Sequence, residues 1–186
     1  MGFTASASKG KGHANSDDLV HDNTHVTAGN KLIMQSGGNT NARGAVIKGN
    51  QVIADIGGDF NLESLQDTSI YDAKQQSIGG SVTVGAGFSG SASYSNSKAK
   101  GDFASVAEQT GIQAGSGGFQ INVKGNTDFK GAAITSTQEA IDNQLNRLST
   151  GTLTHSDIEN HSDHQASSVS LSGGFSVAGK AGDSKG

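Results

Sequence analysis

Two short stretches of the sequence repeat each other at a distance of 20 residues. Gly-Asn-Lys-Leu-Ile at 29–33 recurs as Gly-Asn-Gln-Val-Ile at 49–53, and Gly-Asn-Thr-Asn at 38–41 recurs as Gly-Asp-Phe-Asn at 58–61. A fixed period of this size is typical of stacked arrays. Each unit reads as a turn, a polar residue, a short apolar run and another turn. We therefore predict an all-β fold, a right-handed parallel β-helix (solenoid) with hairpin or loop flaps outside the helix.

A longer repeat overlies the short one. Residues 2–8 return at 87–93, and the same Gly-Phe beginning appears at 174, while 38–47 return at 125–134. Residues 65–69 return at 158–162, an offset of 93, so extra residues must enter between 134 and 158. We expect residues 1–186 to form one repeat-array segment cut from a longer array. Its long repeats would cover approximately 2–86 and 87–173, with the start of a third at 174–186.

The composition limits the kind of protein. Only 32% of the residues are hydrophobic, with 28 glycines, which favours a thin core shared between neighbouring coils over one large core. The net charge of −4 is too small for the usual composition of disordered chains and lacks the basic excess expected of nucleic-acid binding. Without cysteine, the chain has neither disulfides nor thiolate metal sites.

The period predicts strands at 31–35, 45–47, 51–56 and 60–64. We expect a positive φ at the coil corners, where glycine is favoured: Gly29, Gly38, Gly49 and Gly58. Asn30, Asn39 and Asn50 are expected to form polar ladders with their equivalents on adjacent coils.

Two segments do not follow the 20-residue period. Residues 81–88 alternate polar or glycine with apolar residues, which predicts a strand with one buried face, and the small residues at 89–97 complete a hairpin flap over 79–100. Residues 136–139, Ser-Thr-Gln-Glu, fit a capping box that begins a helix. That helix would place three apolar side chains on one face: Ile141, Leu145 and Leu148.

Several residues could carry chemistry, and each has a structural interpretation that we favour. The histidine pair His21 and His25, and the cluster His161, Asp163 and His164, contain zinc-ligand types. The i, i+4 spacing of His21 and His25 makes one site on a helix, but this segment does not have a helical pattern. His161 and His164 are i and i+3, which point to opposite faces of a strand. The glycines in 115–118 resemble a phosphate loop only in composition, since no Gly-Lys-Ser/Thr follows.

Carboxylates and aromatic residues could also carry chemistry. Some β-helix enzymes cut polysaccharides with paired carboxylates, and four acids lie within 13 residues: Asp55, Asp59, Glu63 and Asp67. We favour turn and strand-edge positions in solvent for them. Three rings flank the flap, where they either cover the stack or contact a lipid or glycan surface: Tyr71, Tyr94 and Phe103. We predict no catalytic, cofactor-binding or metal-binding residue.

The pattern Gly-Asn-Thr-[Asn/Asp]-x-[Arg/Lys]-Gly-Ala-x-Ile at 38–47 and 125–134 carries a family resemblance, as does Gly-Thr-Leu-Thr-His-Ser-Asp-Ile-Glu-Asn at 151–160. These segments resemble the hemagglutinin repeats of filamentous-hemagglutinin-type exoproteins, most closely the second repeat region of contact-dependent growth inhibition exoproteins. The resemblance implies export from Gram-negative bacteria through an outer-membrane two-partner secretion transporter. It also implies a secreted filament at the bacterial cell surface, associated with the outer membrane.

On this basis we expect a non-catalytic structural and interaction segment that serves adhesion or contact-dependent toxin delivery. Its expected partners are the secretion transporter, the remainder of the same filament and the surface or outer membrane of a target cell, but no nucleic acid. The resemblance leaves adhesin and toxin-delivery stalk both open. The alternative functions are a β-helix polysaccharide lyase or hydrolase, and a disordered chain without a fixed fold.

Overall fold

The computed structural model describes residues 2–179, which contain thirteen β-strands and one short helix. The predicted all-β class, with parallel sheets, is confirmed. The chain divides into two compact units. The core unit consists of Asp18–Thr68 and Phe103–His161, and the hairpin unit consists of the described residues of Met1–Asp17, Ser69–Asp102 and Ser162–Gly186.

The core unit contains two parallel sheets whose strands follow the same order. The first sheet contains β2 (Thr24–Ser36), β4 (Ala45–Ile56), β8 (Gly111–Val123), β10 (Ala133–Thr135) and β11 (Arg147–Ser149). The second contains β3 (Thr40–Arg43), β5 (Phe60–Glu63), β9 (Asn126–Lys130) and β12 (Thr152–Ser156). Successive strands of each sheet therefore define four levels, the first formed by β2 and β3 and the last by β10, β11 and β12.

The register between levels confirms the stacking predicted from the short repeat. Ile33 lies opposite Ile53, and Thr40 lies opposite Phe60, each at the predicted offset of 20. The next level is 67 residues further on, where Gln120 lies opposite Ile53. The 45–47 and 51–56 strands prove to be one strand, β4, with a register irregularity between Gly49 and Gln51.

The apolar core lies within the core unit and takes one side of each strand. Val52 and Phe60 are fully buried, whereas Ile33 is 60% exposed because it points away from this core. Some equivalent positions are apolar on successive levels, as at Leu32, Val52 and Phe119, so that apolar side chains of one level cover those of the level before it. The buried cluster comprises Leu32, Ala42, Ile47, Val52, Ala54, Ile56, Phe60, Leu62, Ile112, Ala114, Ile121 and Val123.

The predicted role of the corner glycines is wrong. The glycines with positive φ are Gly44, Gly118 and Gly131, and none of Gly29, Gly38, Gly49 or Gly58 is among them. Gly58 is instead required by close approach, since a Cβ there would collide with Asn39 Oδ1 and lie 2.8 Å from the Asn39 backbone nitrogen.

The predicted helix is shorter than its sequence pattern indicates. Helix α1 (Gln138–Asp142) has five residues, and its N-cap is Thr137, whose hydroxyl oxygen accepts from the Ala140 backbone nitrogen at 3.4 Å. The expected capping box beginning at Ser136 is therefore wrong by one residue. The expected apolar face is also wrong. Leu148 lies in β11, and Gln144, between Ile141 and Leu148, has a φ of +56° that ends the helical path. No helix among residues 2–179 has the length and hydropathy needed to cross a bilayer.

The hairpin unit contains one sheet in the order β1 (Phe3–Leu19), β6 (Asp67–Val84), β7 (Gly87–Ser105) and β13 (His161–Ala178). Its contacts run in opposite directions along neighbouring strands, as in an antiparallel sheet. Thr4 contacts Thr83 while Gly12 contacts Gln75, and Ser81 contacts Ser91 while Gly79 contacts Ser93. The expected buried face at 81–88 is wrong, because Val82 and Val84 are 45% and 53% exposed.

Candidate interaction surface

The histidines that could suggest a metal site lie against separate partners. His25 Nε2 is 2.8 Å from Glu108 Oε2, and His21 donates its backbone N–H to Asp67 Oδ1 at 2.7 Å. His164 Nε2 is 3.1 Å from the Ser162 hydroxyl. In the described part of the chain, no three histidine, aspartate or glutamate side chains form a group that could hold a metal ion.

The four carboxylates tested as a catalytic set each make a structural contact. Asp55 Oδ1 accepts from Asn122 Nδ2 at 3.1 Å, and Asp67 accepts from the His21 backbone. Asp59 Oδ1 accepts from the Asn126 backbone nitrogen at 2.9 Å. These contacts join neighbouring levels of the core unit or fix a connection between its strands.

Glu63 lies between two cations on the levels above and below it. Its Oε1 accepts from Lys130 Nζ at 2.9 Å, and its Oε2 accepts from Arg43 Nε at 2.8 Å. The hydrogen bond from Lys130 lowers the pKa of the Glu63 carboxyl below its ordinary value of 4.5. Burial acts in the opposite direction, while the positive charges of Lys130 and Arg43 add to the lowering. The result is a charge ladder through three levels.

Polar side chains form a second ladder at the corner between the two parallel sheets. Asn39 Oδ1 accepts a hydrogen bond from the backbone nitrogen of Asp59, and Asp59 Oδ1 accepts one from the backbone nitrogen of Asn126. Asn126 Oδ1 in turn accepts from the Thr152 hydroxyl at 2.6 Å. The ladder therefore runs through all four levels and uses the predicted Asn39 position. It satisfies corner backbone groups that the sheets themselves leave unpaired.

The glycine-rich residues 115–118 form part of β8 and lie beside polar side chains of adjacent levels. The Ser116 hydroxyl donates to Asn50 Oδ1 at 3.1 Å. A Cβ at Gly118, where φ is +66°, would lie 2.8 Å from Leu145 Cβ and 2.8 Å from Asn146 Oδ1. This geometry is that of a tight strand bend packed against its neighbours.

The two faces of the hairpin sheet differ in chemistry because side chains alternate along each strand. The Thr4–Thr83, Ser81–Ser91 and Ser97–Ser168 contacts place all four strands in register, which puts one set of small hydroxyl residues on the same face. We call it the serine face. It comprises Thr4, Ser6, Ser8, Ser77, Ser81, Thr83, Ser89, Ser91, Ser93, Ser95, Ser97, Ser168, Ser170, Ser172 and Ser176.

The opposite face, called here the apolar face, carries exposed hydrophobic side chains near the hairpin turn. Phe88 and Phe175 contact each other there with ring centroids 5.5 Å apart, and Leu171 is 72% exposed. Its large members are Phe3, Ile78, Val82, Val84, Phe88, Tyr94, Val169, Leu171, Phe175 and Val177. A patch of this kind on a protein surface marks an interaction site.

Lysines border the apolar face on the side away from the turn. By the same alternation, five lysines lie on this face: Lys9, Lys11, Lys74, Lys98 and Lys100. Strand β13, in contrast, carries no charged residue from Gln165 to Ala178. Lys100 Nζ is 3.4 Å from Asp72 Oδ2, and His13 Nε2 is 3.6 Å from Asp72 Oδ1. The sequence analysis missed this lysine band, although the alternation of residues along each strand would have revealed it.

The three aromatic residues considered as packing or contact groups are only partly covered. Tyr71, Tyr94 and Phe103 are 41%, 42% and 37% exposed. Tyr94 lies on the apolar face, while Tyr71 and Phe103 lie on the other. Of the three, Tyr94 alone therefore belongs to the exposed hydrophobic patch.

Comparisons with known proteins agree with the resemblance found in the sequence. Residues 1–78 match the hemagglutinin repeat family. The tRNA nuclease CdiA of Escherichia coli strain NC101 is 43% identical over 181 residues, which cover 95% of this chain and 5% of that protein. The deoxyribonuclease CdiA of Dickeya dadantii strain 3937 is 44% identical over 147 residues, covering 77% of this chain and 4% of that protein.

A third relative, the deoxyribonuclease CdiA of Yersinia pseudotuberculosis strain YPIII, is 39% identical over 176 residues, covering 91% of this chain and 16% of that protein. The chain thus spans a small fraction of the length of the curated relatives that it matches. No solved structure matches it.

Proposed function

Because this chain belongs to the family of hemagglutinin-repeat proteins, we propose that it is a non-catalytic filament segment of a large secreted contact-dependent inhibition exoprotein. The observation that carries the proposal is the register of the core unit, in which Ile33, Ile53 and Gln120 lie side by side on consecutive levels. A stack of this kind grows by adding levels and needs no distant pairing.

The specific architecture that we propose for the core unit is a right-handed parallel β-helix. The stacked levels, the shared apolar core and the two polar ladders support it, since each is expected where a chain winds repeatedly around one axis. An experimental structure of the purified chain tests the proposal directly. A left-handed path, or levels that do not join into one coil, would contradict it.

The nuclease activities that name the relatives are proposed to belong to other parts of those long proteins. The candidate acids of this chain support that assignment, because Asp59 and Glu63 are held in ladders between levels. The positions of these acids also give no support to a polysaccharide lyase or hydrolase. Incubation of the purified chain with tRNA, with DNA and with pectin-like polysaccharides should release no product, and cleavage of any of them would contradict the proposal.

Within the exoprotein, we propose that the apolar face of the hairpin unit contacts the outer membrane of the target cell after export through a two-partner secretion transporter. Exposed Val82, Val84 and Phe88 would enter the lipid surface, while the bordering lysines would lie beside anionic headgroups. Each lysine near an anionic membrane contributes about 1 kcal/mol to binding.

Vesicle sedimentation tests this contact with the purified chain. We expect binding to vesicles containing anionic lipid, weaker binding to zwitterionic vesicles, and loss of binding when Val82, Val84 and Phe88 are replaced by serine. The matched control replaces serine-face residues Ser89, Ser91 and Ser93 by threonine, which should leave binding unchanged. Equal binding by all three proteins would contradict the proposed surface.

The functional test belongs in a full-length exoprotein that carries this segment. Removing 77–84 together with 88–95 takes eight residues from each hairpin arm, so that the turn at 85–87 and the alternation of faces are retained. We expect display on the producing cell to persist while inhibition of target cells is lost. Unchanged inhibition would show that the flap has no part in delivery.

A further inference from the structure

Two lysines lie directly opposite each other in the middle of the hairpin sheet. The contact of Ser81 with Ser91 fixes the register of β6 and β7, and this register sets Lys74 against Lys98 on the apolar face. Opposite residues of antiparallel strands have Cβ atoms about 4.5–5.5 Å apart, where like charges repel each other. Both strands have a neighbour on each side, so the lysine pair belongs to the interior of the sheet.

The outer strands extend this pair into a row. The contacts that place all four strands in register put His13 of β1 beside Lys74, and Ser167 of β13 beside Lys98. We call these four residues the basic row: His13, Lys74, Lys98 and Ser167. Three basic side chains therefore follow one another across the sheet without a carboxylate between them.

The nearest carboxylate on this face is engaged elsewhere. Asp72 lies one row away, where its oxygens are 3.6 Å from His13 Nε2 and 3.4 Å from Lys100 Nζ. Among residues 2–179, no carboxylate forms an ion pair with Lys74 or Lys98. The two opposed ammonium groups therefore suit a bound anion, which would relieve their repulsion.

The surface beside the basic row has room for a small ligand. A cavity of about 270 Å³ lies against Lys74 and His13, and it is also lined by Lys11, Gly12 and Gln76. Lys11 adds a further positive charge at this cavity, and Gln76 adds an amide. An anion held by the row could therefore carry a polar group that occupies this space.

An amide oxygen in the adjacent row adds a second kind of contact. Asn96 is two residues from Lys98 on the same face, and its Oδ1 is buried without a hydrogen-bond partner among the described residues. Buried acceptors are normally paired with a donor, and lysines provide donors but no acceptor. A ligand hydroxyl would supply the missing donor after a rotation of the Asn96 side chain. The surroundings therefore suit a ligand that carries both an anionic group and hydroxyl groups.

We propose that the basic row binds the phosphate monoester of a phosphorylated sugar. Lys74 and Lys98 contact the phosphate oxygens, the Ser167 hydroxyl donates to them, and Asn96 accepts from a sugar hydroxyl. A phosphate monoester carries about −1.5 to −2 charges at pH 7, which matches two opposed ammonium groups. The inference rests on the proposed membrane contact for the source of the ligand, although binding itself can be measured without a membrane.

Titration of the ¹⁵N-labelled chain with glucose 6-phosphate, followed by NMR, tests the site. We expect saturable shifts of the amides in and beside the basic row. Lys74→Gln with Lys98→Gln should weaken binding by about tenfold or more, because two charge-assisted contacts are lost. The matched control, Lys48→Gln with Lys124→Gln, removes the same charge from the core unit and should bind as wild type does. Absence of saturable binding, or an equal loss in both double variants, would overturn the proposal.

The sugar is tested separately from the phosphate. Asn96→Leu keeps the approximate size of the side chain and removes its oxygen. It should weaken binding of glucose 6-phosphate and leave binding of inorganic phosphate unchanged. Equal affinity of the wild-type chain for glucose 6-phosphate and inorganic phosphate would overturn the assignment of a sugar ligand.

A charge reversal separates loss of binding from loss of folding. Lys98→Glu places a carboxylate opposite Lys74, and opposite charges across two strands are stabilising. We expect glucose 6-phosphate binding to be lost while the thermal unfolding midpoint is equal to or higher than that of wild type. Retained binding, or a lower midpoint, would contradict the site.

Vesicles distinguish a lipid headgroup from a soluble source of the ligand. Phosphatidylinositol 4-phosphate carries a phosphate monoester on a ring of hydroxyl groups, whereas phosphatidylglycerol does not. At matched total vesicle charge, the wild-type chain should prefer the first lipid, and Lys74→Gln with Lys98→Gln should abolish the preference. Equal binding of the wild-type chain to both lipids would show that the ligand is not a headgroup of this class.

The site and the proposed membrane contact fail in different ways. If glucose 6-phosphate binds in solution and no vesicle is bound, the membrane contact is wrong and the phosphate site stands. If vesicles are bound without preference and glucose 6-phosphate is not bound, the phosphate site is wrong and the membrane contact stands.

Discussion

Asp59 and Asn126 are 67 residues apart in the sequence, and the Asp59 carboxylate accepts a hydrogen bond from the Asn126 backbone nitrogen at 2.9 Å. The same position on the preceding level is Asn39, whose side chain accepts from the Asp59 backbone in the same way. Each corner therefore supplies the acceptor for the corner after it. Polar contacts, like the apolar ones, therefore join each level to the next level in order.

Replacing Asp59 by alanine should destabilise the chain by about 1–3 kcal/mol, because the Asn126 N–H loses its acceptor within a partly buried corner. Asp59→Asn keeps an oxygen at the same position and should remain close to wild type. Urea unfolding followed by circular dichroism measures both variants. If alanine and asparagine have the same effect, the ladder contributes through charge and not through this hydrogen bond.

Gly58→Ala and Gly38→Ala make the same substitution at equivalent corners of consecutive levels, with opposite expectations. A Cβ on Gly58 would collide with the Asn39 side chain, whereas nothing lies within 4 Å of a Cβ on Gly38. We expect Gly58→Ala to lower the free energy of unfolding by about 1–3 kcal/mol through overpacking. Gly38→Ala should change it by less than about 0.5 kcal/mol.

At the corners occupied by Gly38 and Gly58, only part of the structure could be predicted from the sequence. The repeat identifies Gly38 and Gly58 as equivalent, and the offset of 20 places their levels side by side. It does not distinguish a glycine that needs positive φ from one that makes room for a neighbour. That distinction depends on the neighbouring side chain, Asn39, which contacts Gly58 only after the levels have stacked.

Other features were hidden because intervening segments interrupt the period. The match between 38–47 and 125–134 spans two levels, at offsets of 20 and then 67, because β6 and β7 lie between β5 and β8. The alternation at 81–88 indicated a strand correctly, but alternation is the same whether the apolar side is covered or exposed. Likewise, Leu148 fits a helical period although it pairs with Ile121 in a sheet.

Phenylalanines of the two units should respond differently to truncation. Phe60 is fully buried in the core cluster, so Phe60→Ala should cost about 3–5 kcal/mol through lost burial and the cavity left behind. Phe88 is 42% exposed on the apolar face, and Phe88→Ala should leave the unfolding midpoint of the core unit nearly unchanged. Thermal unfolding monitored at a β-sheet wavelength separates the two cases. A comparable loss in both variants would show that the apolar face is covered in solution.

Acid should weaken the charge ladder at Glu63. The folded-state pKa of this carboxyl is lowered, chiefly by its hydrogen bond from Lys130, so its stabilising contribution is present above the ordinary value of 4.5. The contribution is lost as the pH falls through the folded-state value, where the carboxyl becomes protonated. Both cation partners are more than half exposed, so the expected contribution is about 0.2–1 kcal/mol.

Glu63→Gln removes the titrating group and keeps its size. The difference in unfolding free energy between wild type and Glu63→Gln should therefore be positive at pH 7 and shrink as the pH falls below 4.5. It should also shrink in 1 M salt, because exposed pairs are screened. Glu159→Gln, which changes the same charge outside this ladder, is the matched control. A wild-type advantage that does not shrink as the pH falls below 4.5, or an equal pH dependence for both variants, would show that the Glu63 carboxylate does not stabilise the stack through its two cations.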